Sequence, residues 1–263
     1  MNFKYLKLDI TKEGIAKIFF SNPKNKNAFN PSMISDIKKA ISFLKKSEKC
    51  RVLVLSGEGN IFSSGADLEW MKKSKNLNYQ QNKQEAKKFT EMLKDIDNFP
   101  KPTIAFVNGH AYGGALGIIA VSDYSFSIQT SKFCFSEVKL GLIPAMIAPY
   151  ILRSIGYNFT KKLFLTGEVF NAKKALSCGL IDGIVKNFDF KANESRLIKN
   201  LLSSAPIAQR KIKSFLKKVS FKEIDSLLID KTSETISKIR VIKEAQEGLS
   251  AFLEKRKPYW SKN

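Results

Sequence analysis

Residues 103–121, TIAFVNGHAYGGALGIIAV, decide how this chain is read. Thr103 to Val107 is a short run of mostly β-branched and aromatic residues, the pattern of a parallel strand buried on both faces. Asn108 to Gly114 is too small and glycine-rich to continue it. Gly114 to Val121 is apolar all round, which fits a helix buried inside the molecule. A buried strand, a small-residue turn and a buried helix make the repeating unit of a parallel α/β fold.

The same rhythm extends in both directions. Arg51 to Ser56 (RVLVLS) reads as a second buried strand and residues 124–129 as a third. Upstream, residues 3–10 and 15–21 read as a strand pair turning at Glu13-Gly14. Pro31 then opens a helix with apolar positions Met33, Ile34, Ile37, Ile41 and Leu44 at helical spacing. A helix is expected to end before Pro100, and the polar stretch Lys72 to Gln84 is the best candidate for a mobile loop. Alternating strands and helices predict parallel pairing with right-handed crossovers. From about residue 190 the strand pattern stops, and residues 192–203, 206–219 and 221–254 are expected to be helical. The organisation predicted is an α/β core over residues 1–190 with a helical C-terminal region over 191–263.

The chain has 263 residues and 43% hydrophobic residues, enough for a packed core and incompatible with disorder throughout. Lys and Arg number 45 against 24 Asp and Glu, a formal charge of +21. A charge of that size is one footprint of nucleic-acid binding. However, only six of the bases are Arg, the side chain best suited to phosphate and base recognition, and no nucleic-acid-binding motif is present. The charge therefore reads first as a lysine-rich solvated surface, and second as a field favouring a polyanionic small molecule. No apolar run reaches the roughly 20 residues needed to span a bilayer, and the N-terminus alternates like a strand rather than a targeting peptide. A cytoplasmic protein is expected. Cys50, Cys134 and Cys178 with the single His110 form neither a disulfide framework nor a usual zinc spacing, so no metal is expected.

Two loops carry the candidate chemistry. Gly59-Asn-Ile-Phe-Ser-Ser-Gly-Ala-Asp-Leu68 follows the 52–55 strand, and the Asn108–Gly114 turn follows the 103–107 strand. Ligands in parallel α/β sheets gather beyond the carboxyl ends of the strands. If the amides of Ala66 and Gly114 converge, they form an oxyanion hole for a carbonyl oxygen gaining charge, reinforced by the helix dipole at Gly114. The competing reading is a pair of tight turns. Neither loop is a phosphate-binding glycine motif. Glu137, inside FCFSEVKLGLIP (residues 133–144), is an acid in apolar surroundings. It reads either as a proton-transfer group with a raised pKa or as a salt-bridged structural residue. Asp67 suits ligand binding or fixing its own loop, His110 a structural turn, and Cys134 core packing.

Five segments in order, SNPKNKNAF (21–29), FSSGADL (62–68), NGHAYGG (108–114), SEVKLGLIP (136–144) and EGLSAFLEKR (247–256), resemble the enoyl-CoA hydratase/isomerase (crotonase) superfamily. Phe133–Tyr150 together with Phe164–Glu168 is most similar to its bacterial 3-methylglutaconyl-CoA hydratase branch. The resemblance implies a spiral of ββα turns with a helical C-terminal trimerisation region, assembled as a homotrimer or dimer of trimers. It implies an acyl-CoA substrate, coenzyme A arriving as part of that substrate and no further cofactor. The thioester oxygen would lie between the amides of Ala66 and Gly114, with Lys24 and the loop Ser64, Gly65, Ala66, Asp67 and Leu68 lining the coenzyme A site. Phe252 and Lys255 would approach the nucleotide end, contributed in one arrangement by a neighbouring subunit.

The resemblance implies a lyase adding water to an enoyl-CoA. Such hydratases typically use two glutamates; one matches Glu137, and the other falls on Gly117. A double-bond isomerase with Glu137 as its single base is therefore the alternative activity. An RNA-binding protein on the same scaffold is the alternative of another class.

Overall fold

The computed structural model describes residues 2–185 and 190–261, residues 190–195 by their backbone alone. The expected division at 190/191 adjoins residues 186–189, which lie outside the described residues.

A hairpin, β1 (Leu6–Ile10) and β2 (Ile15–Phe20), opens the chain, and α1 (Pro31–Lys46) follows. Asn30 caps α1 by accepting from the Met33 amide at 2.9 Å, with Pro31 beyond it. The predicted apolar face, Met33, Ile34, Ile37, Ile41 and Leu44, is buried. At the other end, buried Lys101 donates to the carbonyls of Leu44 and Ser47 (2.7 and 2.6 Å), placing a cation at the negative end of the helix dipole.

Three successive turns of chain then each add one strand to two different sheets. The first gives β3 (Val52–Gly57), β4 (Ile61–Ser63), α2 (Leu68–Ser74) and α3 (Tyr79–Asp97). The second gives β5 (Thr103–Val107), β6 (His110–Tyr112) and α4 (Gly114–Val121). The third gives β7 (Tyr124–Ile128), β8 (Lys132–Cys134), a 3₁₀ turn at Ser136–Leu140 and α5 (Ala148–Thr166). Strands β9 (Phe170–Asn171) and β10 (Gly183–Val185) flank the short α6 (Ala172–Ser177). The larger sheet has the order β1-β2-β3-β5-β7-β10, parallel except for β1, and the smaller β4-β6-β8-β9, parallel except for β9. This is the ββα spiral of the predicted α/β class.

Every residue of β3 is buried because both faces of the larger sheet are covered. Leu53 and Leu55 face the main core with α1, α3 and α4, whereas Val52, Val54, Ile104 and Phe106 pack with Ile198 and Leu201 of α7 (Phe190–Ser203). The C-terminal region continues with α8 (Pro206–Val219), α9 (Ser226–Arg240) and α10 (Lys243–Leu253).

The structure corrects two expectations. The stretch 72–84 is not a loop: it ends α2 and starts α3, whose N-terminus is closed by a reciprocal capping box between Asn78 and Gln81. The single helix expected over 221–254 begins only at Ser226 and breaks at Val241-Ile242. The strands of the small sheet, three residues or fewer, carry no readable period, and only the resemblance to a ββα spiral implies them.

Candidate active site

Strands β4, β6 and β8 lie side by side and parallel, so the segments leaving their carboxyl ends emerge together. Those segments hold Ser64–Asp67, Gly113-Gly114 and the turn bearing Glu137. The Gly113 amide donates to the Cys134 carbonyl at 2.9 Å, locking the second segment to the third.

The first two segments touch through glycines. Gly65 has φ +90°, and a Cβ on it would stand 2.9 Å from the Tyr112 carbonyl oxygen and 3.8 Å from Gly113 Cα. Gly113 has φ +54° and ψ −126°, a conformation nearly restricted to glycine, and its Cβ would stand 3.3 Å from Glu137 Oε1. The two residues following these glycines are Ala66 and Gly114.

Both of their amides are left over by the backbone pattern. Residue 66 forms a parallel bridge with Phe29, carried by the Phe29 amide on the Gly65 carbonyl (2.7 Å) and the Asp67 amide on the Phe29 carbonyl (2.9 Å). In a parallel pair the flanked residue's own N–H points to the opposite side, so the Ala66 amide faces away from Phe29. Gly114 is the first residue of α4, where the helix ladder offers its N–H no acceptor. Among the described residues neither amide has a hydrogen-bond partner.

Glu137 is half-buried, and its Oε2 is fully buried with no hydrogen-bond partner. Burial pushes its carboxyl above the ordinary range, outweighing a hydrogen bond from its own backbone. The salt-bridged reading of Glu137 therefore gives way to a desolvated acid whose carboxyl lies near Gly113, the residue before Gly114.

Asp67 does what the loop-fixing reading required. Its Oδ1 accepts from the amides of Glu69 and Trp70 at the start of α2 (3.0 and 3.1 Å), and Oδ2 accepts from Asn25 Nδ2 at 3.1 Å. Its carboxylate is thus turned into its own loop. Lys24 is exposed in the turn Pro23–Asn25, which is held to this loop by Asn25 and by the Ser64 amide on the Lys26 carbonyl (3.0 Å). Ser64 is half-buried, Ala66 exposed and Leu68 73% exposed, so the loop presents its outer side to solvent.

Phe252 (80% exposed) and Lys255 stand exposed at and just beyond the end of α10. His110 Nδ1 accepts from the Lys132 amide at 3.1 Å, and Cys134 is buried with Sγ 3.3 Å from the Gly167 carbonyl; both have structural surroundings. Among the described residues no cluster of His, Cys, Asp and Glu could hold a metal ion, and no helix is long and apolar enough to cross a membrane.

Four residues that sequence reasoning did not single out shape the site. Asn27 and Asn108 are buried and pin the β3–β4 turn. Asn27 donates to the carbonyls of Glu58 and Ile61, and Asn108 to those of Gly57 and Gly59. Phe89 of α3 presses against Gly114, where a Cβ would stand 2.7 Å from its Cζ. Ile147 closes on Gly117, where a Cβ would stand 2.5 Å from its Cγ2. The position of the expected second glutamate is thus filled by hydrocarbon.

A family model described as enoyl-CoA hydratase/isomerase matches residues 10–263. Crotonyl-CoA hydratase of Syntrophomonas wolfei is 27% identical over 248 residues, 94% of this chain and 94% of that protein. Human enoyl-CoA hydratase domain-containing protein 3, mitochondrial, is 28% identical over 250 residues, 95% of this chain and 81% of that protein. The crystal structure of an enoyl-CoA hydratase from Shewanella pealeana superposes with a TM-score of 0.95 at 40% identity, covering 98% of this chain and 97% of that one.

Proposed function

Since this chain belongs to the enoyl-CoA hydratase/isomerase family, we propose that it is a hydro-lyase adding water across the conjugated double bond of an enoyl-CoA. What supports this reading is the close approach of the segments bearing Gly65, Gly113 and Glu137: a Cβ added at Gly113, the residue before Gly114, would stand 3.3 Å from Glu137 Oε1 and 4.0 Å from Gly65 Cα. The thioester oxygen accepts from the amides of Ala66 and Gly114. Glu137 takes a proton from water as its oxygen bonds to C3, and electrons shift onto the thioester oxygen as an enolate. Glu137 returns the proton to C2, so the product has gained one water and the enzyme is unchanged. By analogy with measured oxyanion donors, each amide lowers the barrier by about 3 kcal/mol.

The acyl group we propose is 3-methylglutaconyl or a related branched enoyl, placing the reaction in leucine or isovalerate breakdown. The support is the resemblance over residues 133–150 and 164–168. We assign the coenzyme A contacts to Lys24 and the Ser64–Leu68 loop, and the nucleotide end to Phe252 and Lys255 of a neighbouring copy. That assignment fits their exposure. A homotrimer or dimer of trimers is the assembly expected, read by light scattering.

The test is loss of conjugated-thioester absorbance with crotonyl-CoA and 3-methylglutaconyl-CoA. No turnover of either by folded protein removes the hydratase reading; turnover of crotonyl-CoA alone removes the branched substrate. One observation favours a second reading, a double-bond isomerase. Gly117 carries no acid and its space is filled, and a single Glu137 suffices to move one proton from C2 to C4 of a 3-enoyl-CoA. Conversion of a 3-enoyl-CoA to the conjugated isomer, without hydration of the latter, would select it.

A further inference from the structure

The turn that carries Glu137 is packed against the chain that leaves α5. Strand β8 pairs antiparallel with β9, Phe133 opposite Phe170. Beyond that pair the two segments stay together, the buried Phe135 ring lying 4.8 Å from Phe164 and 6.0 Å from Phe170, centroid to centroid. Gly167 falls midway between those two residues in the chain and is itself buried. Its carbonyl accepts from Cys134 Sγ at 3.3 Å. A Cβ on it would stand 2.8 Å from Val138 Cγ1, 3.2 Å from the Phe135 carbonyl oxygen and 3.3 Å from Lys139 Cε. One glycine thus meets the chain on both sides of Glu137, at positions 134 and 135 before it and 138 and 139 after it.

Hydrogen bonds inside the turn, such as the Leu142 amide on the Glu137 carbonyl (3.0 Å) and the Gly141 amide on the Val138 carbonyl (3.2 Å), fix its shape. Its place relative to Gly113 has to come from contacts with other segments. Phe135, which precedes the turn, offers no capping side chain. The Cys134 carbonyl takes the Gly113 amide at 2.9 Å, while the Cys134 thiol reaches the Gly167 carbonyl. Cys134 therefore links Gly167 to the segment of the unused Gly114 amide, three residues before Glu137. We propose that Gly167 is a positioning residue for Glu137: because it has no side chain, the turn seats directly on it, and that seat holds the carboxyl near Gly113 and out of water. The inference deepens the hydratase reading and rests on it for what the carboxyl does in turnover. A methyl group at position 167 cannot fit unless Val138 or the Phe135 carbonyl moves. Misplacing a reacting group by about 1 Å can cost about 10²-fold in rate.

The experiment is a cycle of wild type, Gly167→Ala, Val138→Ala and the double variant. Two things are read: kcat and KM for crotonyl-CoA, and the titration of the Glu137 carboxyl by carbon-13 NMR of glutamate-labelled protein, assigned with Glu137→Gln. Gly167→Ala should lower kcat by about 10–10²-fold and leave KM within about twofold, because Lys24 and the Ser64–Leu68 loop stand on other segments. It should also bring the carboxyl pKa down toward the ordinary Glu value, as water reaches the buried Oε2. Losing Val138 Cγ1 relieves the closest contact, so the double variant should recover most of both changes. An unmoved titration in folded Gly167→Ala would overturn the proposal. So would a moved titration that the double variant leaves uncorrected, since that traces to the φ of +53° at Gly167 rather than to the seat. If Gly167→Ala does not fold, Cys134→Ala, which removes the donor to the Gly167 carbonyl, should shift the titration in the same direction. Cys134→Ser keeps a donor and should restore it; identical titrations in the two would overturn the proposal. Failure of the hydratase reading looks different: wild type leaves crotonyl-CoA unconsumed, or kcat stays level while the titration moves.

Discussion

At the scale of single residues, Glu137 connects chemistry to stability. Its desolvated carboxyl holds its proton to higher pH than an ordinary Glu, so as a general base it is inactive below its raised pKa and the acid limb of kcat/KM lies above the usual carboxylate range. The stability consequence has a definite sign. A folded-state pKa above the unfolded value means the native protein binds more protons in that window, so stability falls as pH rises through it. Glu137→Gln keeps the shape and removes the charge. It should lower turnover by about 10²–10⁴-fold yet raise the melting temperature at neutral pH. That stabilisation should shrink to nothing as pH drops below about 4.3, the ordinary Glu value. Melting curves at pH 4 and pH 7 check this; a variant less stable than wild type at pH 7 would mean that the buried carboxylate is favourably held. The candidate acid and amides were legible in sequence because each sits in a local pattern: an acid among aromatics, or small residues after a strand. Ile147, Phe89 and Asn108 were not, because each acts on a segment some 25 to 50 positions away and leaves no mark in its own neighbourhood.

At the scale of elements, helix ends show which parts of the fold are locally encoded. Helix α4 was read at its true bounds because Gly113 and Ser122 flank eight uniformly buried or half-buried positions. Helix α3 was half missed because its buried residues, Phe89, Met92, Leu93 and Ile96, all lie in its second half, leaving a first half as polar as a loop. The short α2 depends on Asp67 for its N-cap, and that carboxylate also ties the loop to Asn25. Asp67→Ala should cost about 1 kcal/mol of stability and loosen the Ala66 amide, lowering kcat/KM more than the stability change explains. Asp67→Asn, which can still cap, should recover most of both; equal losses in the two variants would assign the effect to charge rather than capping. Helix α8 makes the complementary case. Its N-cap residue, Ala205, has no capping side chain, so buried Glu244 of α10 accepts from the Ile207 and Ala208 amides, both at 2.9 Å. A cap supplied from 36 residues downstream is invisible to local reading. Glu244→Ala should destabilise by about 1–3 kcal/mol, measured by denaturant midpoint. A change within experimental error would show that water replaces the carboxylate freely.

At the scale of the whole molecule, the net charge of +21 opposes compaction, and ion pairs offset that repulsion only locally. With 45 Lys and Arg facing 24 Asp and Glu, 21 positive charges stay unneutralised by acidic side chains however the chain folds. Pairs such as Lys72–Glu69 and Lys238–Glu234 are exposed, and each such pair contributes about 0–1 kcal/mol. The pairs that dock α8 on the core, Lys213–Asp123 and Lys217–Asp97, are more buried and therefore less sensitive to salt. A folded chain of this length has a radius of gyration of roughly 18 Å. The screening length is about 30 Å at 0.01 M salt and about 8 Å at 0.15 M, so at low salt every charge feels every other and at physiological salt only its neighbours. Relief of global repulsion should outweigh the weakening of exposed pairs. The melting temperature should then rise with NaCl from 0.01 to 0.15 M, by about 2–4 °C for each kcal/mol of repulsion removed. Chloride is the appropriate anion, because phosphate would add binding to lysines and confuse screening with occupancy. A melting temperature that falls over this range would mean that the bases are held in pairs closer and drier than those described, and that the charge is structural rather than a solvated coat.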